Sequence, residues 1–294
     1  MYLEQRAAYT SKLLPFLRRE LGLSSGLIKR LKWQNAFLVD GLPAHTDALI
    51  QAGQTVRVVI EESVEGFPAE ALPLQILLET DDFLAVDKPC GMLIHPSPHK
   101  NTGTLANAVL GYYQRTGQHS GIHPLTRLDR DTFGVVIFAK NAYIQEKFKQ
   151  IPIQKFYIAP VFGHPAVPCG TIGFPIGRVP SPADAPKSLL RRVDPAGKPS
   201  LTRYRELLRQ GEISILELEA VTGRTHQLRV HCLASGFPIL GDPQYYSAAS
   251  LAYSSAHGLF TQQLCAKRVC FALGGAGYNI ESRQTIRTNE TTAP

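Results

Sequence analysis

In the stretch HPLTRLDRDTFGVVIFAK, residues 123–140, a carboxylate stands among guanidinium groups: Asp129 follows Arg127 by two positions and directly precedes Arg130. An apolar run at 135–139 follows, with the make-up of a buried strand. An acid near a turn is ordinarily a cap or half of a surface ion pair. Beside a buried strand the balance changes, because a carboxylate that meets a cation at low dielectric stays ionised and loses mobility. Such a group suits a nucleophile or an electrostatic stabiliser. Asp131 is expected to cap the turn at Thr132, and Arg130 to be solvated. No second carboxylate has a partner role, which argues against a glycosidase-like hydrolase, whose two acids stand about 5–9 Å apart.

Three further stretches carry residues of chemical interest. QKFYIAPVFG, residues 154–163, sets Tyr157 between Phe156 and Ile158 in an alternating segment. Strand tyrosines mostly pack in a core. The functional alternative is a flat ring on which a nucleobase stacks, its hydroxyl near the chemistry. VTGRTHQLRVHCLASGFPILGD, residues 221–242, gathers Arg224, His226, Arg229 and His231 around the start of a helix that Gly236 closes. The two histidines are five apart, which splays them around a helix and argues against a shared metal. Two arginines at a helix start make an anion site, and either can pair with Asp129 or hold a phosphate. In VDKPCGMLIHPSP, residues 86–98, Lys88-Pro89 and Gly91 read as a tight turn able to bring backbone close to a ligand.

The elements that must position these residues follow from pattern. At 294 residues the chain favours two domains, and 44% hydrophobic residues supply ample core. A net charge of +7 suits a polyanionic partner, weakly. Five cysteines without a C-x-x-C pair argue against a disulfide framework and a zinc knuckle. With no long apolar run and no signal-peptide pattern, a soluble cytoplasmic protein is expected.

Leu13, Leu14, Leu17 and Leu21 recur at helical spacing, and Ser24 or Ser25 offers an N-cap for a second helix through GLIKRLKWQ. A strand, a D-G turn, a return and an alternating strand at 55–60 follow. Lys12, Arg18, Arg19, Lys29, Arg30 and Lys32 fall on the two helices, a solvated face or a surface for phosphates. Residues 1–64 therefore form one small unit, and the Pro- and Gly-containing stretch at 65–73 reads as a linker. Beyond it, strands are expected at 76–79 and 83–87, a helix at TLANAVLGYYQR, and mostly strands from 123 to 280 with the one helix already named. Residues 281–294 lack apolar pattern and read as a mobile tail. Strands and helices mix without alternation, so 74–280 is expected to be α+β rather than doubly wound.

Taken in order, VDKPCGMLIHP, RLDRDTFGVVIFAK, KFYIAPVFG and GRTHQLRVH…GFPILGD resemble the successive motifs of the RluA-type pseudouridine synthases. The first unit resembles the small RNA-binding module named after ribosomal protein S-four. The resemblance implies a mixed, mostly antiparallel central sheet flanked by helices and loops. It implies isomerisation of uridine in structured RNA, ribosomal or transfer, by a monomer without cofactor or metal. By the same likeness Asp129 is the catalytic aspartate, attacking ribose or base or stabilising charge. Tyr157 carries the base and Arg229 pairs with the aspartate. Arg127 enters the RNA stack, and Leu128 and Ile239 wall the pocket. Arg224, His226, Lys88, His95 and the six N-terminal cations are expected to contact RNA.

Thr126, Phe133 and Cys265 depart from the family pattern, where histidine, serine and histidine are common. A different class stays open: an RNA-binding or ribosome-assembly factor whose synthase domain no longer reacts.

Overall fold

The computed structural model describes residues 1–62, 66–98, 100–182, 186 and 188–288. In the first unit, β1 (Tyr2–Arg6) and β2 (Ser11–Lys12) precede α1 (Leu13–Arg19) and α2 (Ser25–Lys32). After these come β3 (Phe37–Val39), β4 (Leu42–Pro43), β5 (Leu49–Ile50) and β6 (Thr55–Val59). Pattern had not revealed β1, because its polar and half-buried residues gain strand character only from pairing with β6. Ser24 Oγ accepts from Leu27 N at 3.1 Å, which fixes the start of α2. Asp40 and Gly41, both with positive φ, make the hairpin turn between β3 and β4. The backbone amide of Thr55 and the amide of Gln54 donate to the Asp40 carboxylate and lower its pKa.

The remainder begins with β7 (Ile76–Glu79) and β8 (Phe83–Lys88), the two strands expected there, then α3 (Leu105–Arg115), started by a Thr104–Asn107 capping box. Next are β9 (His123–Pro124), β10 (Phe133–Ala139), α4 (Ala142–Phe148), β11 (Gln154–Phe162), β12 (Cys169–Ile172), β13 (Ile176–Arg178) and β14 (Arg191–Val193). Then follow β15 (Thr202–Gln210), β16 (Ile213–Ala220), α5 (Gln227–Ala234), α6 (Ala248–Ala256), β17 (Cys265–Leu273) and β18 (Ala276–Glu281). Helices α4 and α6 were missed in the sequence. Their N-caps Asn141 and Ser247 are the signals that mark them, since neither has a strong apolar stripe.

One large sheet runs in the order β12-β15-β16-β11-β17-β10-β8-β7, with β18 added to β17 and β9 to β10. Every neighbouring pair is antiparallel except β10 with β17. The α+β class and the mixed, mostly antiparallel sheet are those expected. Where β10 meets β17, a Cβ on Gly134 would lie 2.4 Å from the Ala266 carbonyl oxygen, so only glycine fits beside the loop that carries Asp129.

The first unit does not hang free. A single cluster of buried apolar side chains runs from Leu17 and Leu31 of α1 and α2 to Phe83, Val135 and Tyr143. Glu62 locks the junction, taking His123 Nε2 at 2.8 Å and the Ala142 amide at 2.9 Å. Part of the expected linker, residue 65, lies outside the described residues.

The tail also differs from expectation over its described part. Asp87 accepts from Ser282 Oγ, Arg283 N and Gln284 Nε2 at 2.8, 2.8 and 2.6 Å, and Ile286 is buried. A buried acid unpaired in its own strand draws these donors from the far end of the chain, which pattern alone does not show. Residues 289–294 of that tail lie outside the described residues. Among the described residues no helix is long and apolar enough to cross a membrane.

Candidate active site

A cleft of about 380 Å³ opens where the loop before β10, the strand β11 and the start of α5 converge. Asp129, Tyr157 and Arg229, which lie far apart in sequence, all line it. The loop is fixed at several points. Thr126 Oγ1 accepts from Ile137 N at 3.1 Å, Gln262 Nε2 donates to Thr132 Oγ1 at 2.5 Å, and Lys88 Nζ donates to the Arg130 carbonyl at 2.7 Å. Asp129 is thereby held on a rigid loop with its side chain 28% exposed, open to the cleft.

Arg229, in the first turn of α5, is 5% exposed at its side chain and is the centre of the charge network. Its Nη1 donates to Asp129 Oδ2 at 3.1 Å. Its Nε and Nη2 grip both oxygens of Asp242 at 2.7 and 2.8 Å, and Nη2 also reaches Gln244 Oε1 at 2.8 Å. Tyr245 presents its ring to the guanidinium, 4.7 Å from the centroid. Burial opposes the charge on Arg229, but the hydrogen bonds and charges of Asp242 and Asp129 outweigh it and raise the pKa. The cation is thus fixed by a buried carboxylate, and one donor is left to steer Asp129. Only Oδ2 of Asp129 is engaged, by Arg229 and, at 3.9 Å, by His226 Nε2. Oδ1 has no hydrogen bond to any described residue.

His226 caps α5 in the left-handed region, with φ 56. Its Nδ1 meets the Tyr245 hydroxyl at 2.8 Å, while that oxygen accepts from Arg191 N at 2.7 Å. The Tyr245 proton is therefore directed to Nδ1, which leaves the imidazole proton on Nε2, facing Asp129. Burial lowers the His226 pKa, Arg229 and Arg191 lower it further, and Asp129 and Asp242 act against them. Tyr157 is buried, and burial together with the charge of Asp129 pushes its hydroxyl well above the usual phenol range. It lines the cleft and shares one apolar cluster with Leu218 and Leu228.

Arg127, Leu128, Arg224 and His226 also line the cleft. Arg127 and Arg224 are exposed at its rim. Arg130 is not simply solvated: its Nε and Nη2 take both oxygens of Asp131 at 2.9 Å, so Asp131 is an ion-pair partner rather than a cap.

Two other expectations are corrected. Lys88 is 0% exposed and spends its ammonium on the carbonyls of Pro89, Met92 and Arg130, so it braces the loop that carries Asp129 and is not placed to contact a ligand in the cleft. Burial depresses its pKa to about 8. Ile239 is buried against Val161 and does not line the cleft. His95 is exposed, edge-on to Phe67, and lies off the cleft. The six N-terminal cations are all exposed, and none lines the cleft.

Asp242, Gln244, Tyr245 and Lys155 are the site residues that pattern missed. Asp242 closes the quoted GFPILGD stretch, but nothing in that spacing says its carboxylate turns back to Arg229.

A family model described as RNA pseudouridylate synthase matches residues 82–234. The chain is 33% identical over 210 residues to the Bacillus subtilis (strain 168) protein "Uncharacterized RNA pseudouridine synthase YhcT", covering 69% of this chain and 68% of that one. It is 34% identical over 218 residues to "Ribosomal large subunit pseudouridine synthase D" of Nitrosomonas europaea, covering 72% of this chain and 62% of that one. Among solved structures, "Human RNA Pseudouridylate Synthase Domain Containing 1" superposes with a TM-score of 0.58 at 26% identity, covering 74% of this chain and 86% of that one. A second human structure, "Human RNA Pseudouridylate Synthase Domain Containing 4", shares the fold with a TM-score of 0.56 at 21% identity, over 71% of this chain and 88% of that one.

Proposed function

The chain belongs to the RNA pseudouridylate synthase family, and from that premise we propose that it isomerises selected uridines of structured RNA at Asp129. The observation that carries the assignment is the Arg229–Asp129 contact at 3.1 Å, in a cleft that also holds Tyr157. The target nucleotide leaves the RNA stack, at a cost of a few kcal/mol that Arg127 offsets by filling the gap. Its uracil lies on Tyr157, and its sugar faces Oδ1 of Asp129. The N1–C1′ bond breaks, the uracil turns in the cleft, and the C5–C1′ bond forms. The proton at C5 leaves and N1 gains one, so the product is an isomer with nothing consumed. Tyr157 stays protonated, so a water rather than its phenolate takes the C5 proton.

The substrate class we propose is ribosomal or transfer RNA, with the reaction run by a monomer in the cytoplasm and needing neither metal nor cofactor. The S-four-like unit supplies a second RNA surface, supported by the exposed cations of α1 and α2. Transcripts of large-subunit ribosomal RNA and of transfer RNA, labelled with tritium at carbon 5 of uridine, test this reading. Wild-type protein is expected to release tritium from one of them. D129N is expected to abolish release while RNA affinity stays within about tenfold, since the group serves reaction more than docking. Turnover retained in D129N, or none in the wild type on either RNA, would sink the assignment.

A further inference from the structure

Lys155 lies two residues before Tyr157 on β11, so the two side chains share one face of the strand and the same cleft. Three other cations close to the loop that carries Asp129 are matched, while Arg127 is exposed to solvent at the rim. Arg229 has Asp242 and Asp129, Arg130 has Asp131, and Lys88 has three carbonyls. Lys155 is half-buried yet makes no hydrogen bond or ion pair with any described residue. Burial alone lowers its pKa, with no carboxylate offsetting the loss of water. A partly dehydrated ammonium without a partner weakens the fold, and such groups are kept where a ligand supplies the counter-charge.

The surroundings indicate what that ligand group is. Lys155 sits near the open end of its strand, where exposure rises toward Gln154. Its Nζ lies against Gly223, where an added Cβ would stand 3.6 Å away. Arg224 follows directly at the rim and commits only its Nε, to the Pro199 carbonyl at 3.1 Å. From this rim a second groove of about 450 Å³ leads away. It shares Arg127 and Arg224 with the cleft, adds Arg178, Arg191 and Lys198, and has no acidic residue among the described residues of its lining. A flipped uridine has two kinds of group to offer here: an uncharged base that belongs deep on Tyr157, and backbone phosphates that stay at the rim.

We propose that Lys155 and Arg224, on either side of Gly223, form a seat for a backbone phosphate of the flipped nucleotide, from which the RNA strand leaves along the cationic groove. This rests on the reading of the cleft as a uridine-isomerising site. The seat fixes the sugar over Asp129 by holding its phosphate, so it acts on binding and position and not on the bond that breaks.

The test compares wild type, K155M and K155R on the tritiated ribosomal and transfer RNA transcripts, across a salt series. K155M is expected to raise KM about tenfold and lower kcat less than threefold, with the slope of log(kcat/KM) against log salt flatter by about 0.7, the share of one single-strand phosphate. K155R is expected to recover most of the slope. K155M is also expected to melt at or above the wild-type temperature, because it removes an unpartnered charge. If kcat falls with KM and slope unchanged, the lysine serves the detached base and the seat is wrong. If no parameter moves, or K155M melts well below wild type, the phosphate seat is likewise refuted. A wild type that releases no tritium from either RNA fails the underlying reading instead, which separates the two failures.

Discussion

Replacing Asp242 by asparagine tests the charge network at its least visible member. Oδ1 of Asp242 accepts from Arg229 Nη2 and from the backbone amides of Gln244 and Tyr245, at 2.8, 2.9 and 3.1 Å. Oδ2 accepts only from Arg229 Nε, at 2.7 Å. In D242N the amide nitrogen takes the Oδ2 position, so a donor faces the Nε–H and the buried guanidinium loses its main counter-charge. The side chains are 5% and 1% exposed, so solvent screening does little to soften the loss. Breaking a buried pair from one side costs about 3–5 kcal/mol. Asp129 remains as a partner, which puts the expected loss near the lower end, ~3 kcal/mol. With m on the order of 3 kcal/mol per molar, the urea midpoint should fall by about 1 M.

Arg229 is then free to turn toward Asp129, and a misplacement of about 1 Å at a reacting group costs roughly a hundredfold in turnover. D129N should show the opposite division, no turnover with the urea midpoint nearly unmoved, because Arg229 keeps Asp242. Urea unfolding and tritium release on the three proteins measure both quantities. A D242N midpoint within about 0.2 M of wild type, with turnover within threefold, would mean that the buried pair is not what holds Arg229.

Two other outcomes are expected. Burial lowers the pKa of both His226 and His231, so the unfolded chain binds more protons as acid is added. Stability is full above the ordinary histidine range and declines as pH falls through about 6.5 and below. H226Q should flatten the urea-midpoint-against-pH curve between about pH 7 and 5, and an unchanged curve would show that this histidine is not held neutral. Removing residues 1–64 would strip a shared apolar core, so the RNA surface of the first unit is better tested by charge removal. The variant R18Q/R19Q/K29Q/K32Q should fold as wild type and flatten the salt dependence of RNA binding by up to about 3 in log–log slope. An unchanged slope would mean that α1 and α2 do not meet phosphates.

Much of this protein is legible along the chain because the relevant physics is local. Periodicity placed α3 and the strands β7 and β8, Ser24 marked the start of α2, and Asp40-Gly41 marked a hairpin turn. The motif order pointed to Asp129, Tyr157 and Arg229, and the fold brings these three to one cleft. Partnership across the fold was not legible. Two arginines flank Asp129 in sequence, yet the cation that meets it comes from α5. Arg130 turns to Asp131, and Lys88, read as an RNA contact, is a buried brace. Asp242 reaches back to Arg229, Asp87 gathers the residues after β18, and Lys155 is left without a partner among the described residues, beside Tyr157. Residue type and spacing fix what a side chain is able to do. Which neighbour satisfies its charge depends on distances between elements remote in sequence, and the packing of the sheet alone sets those distances.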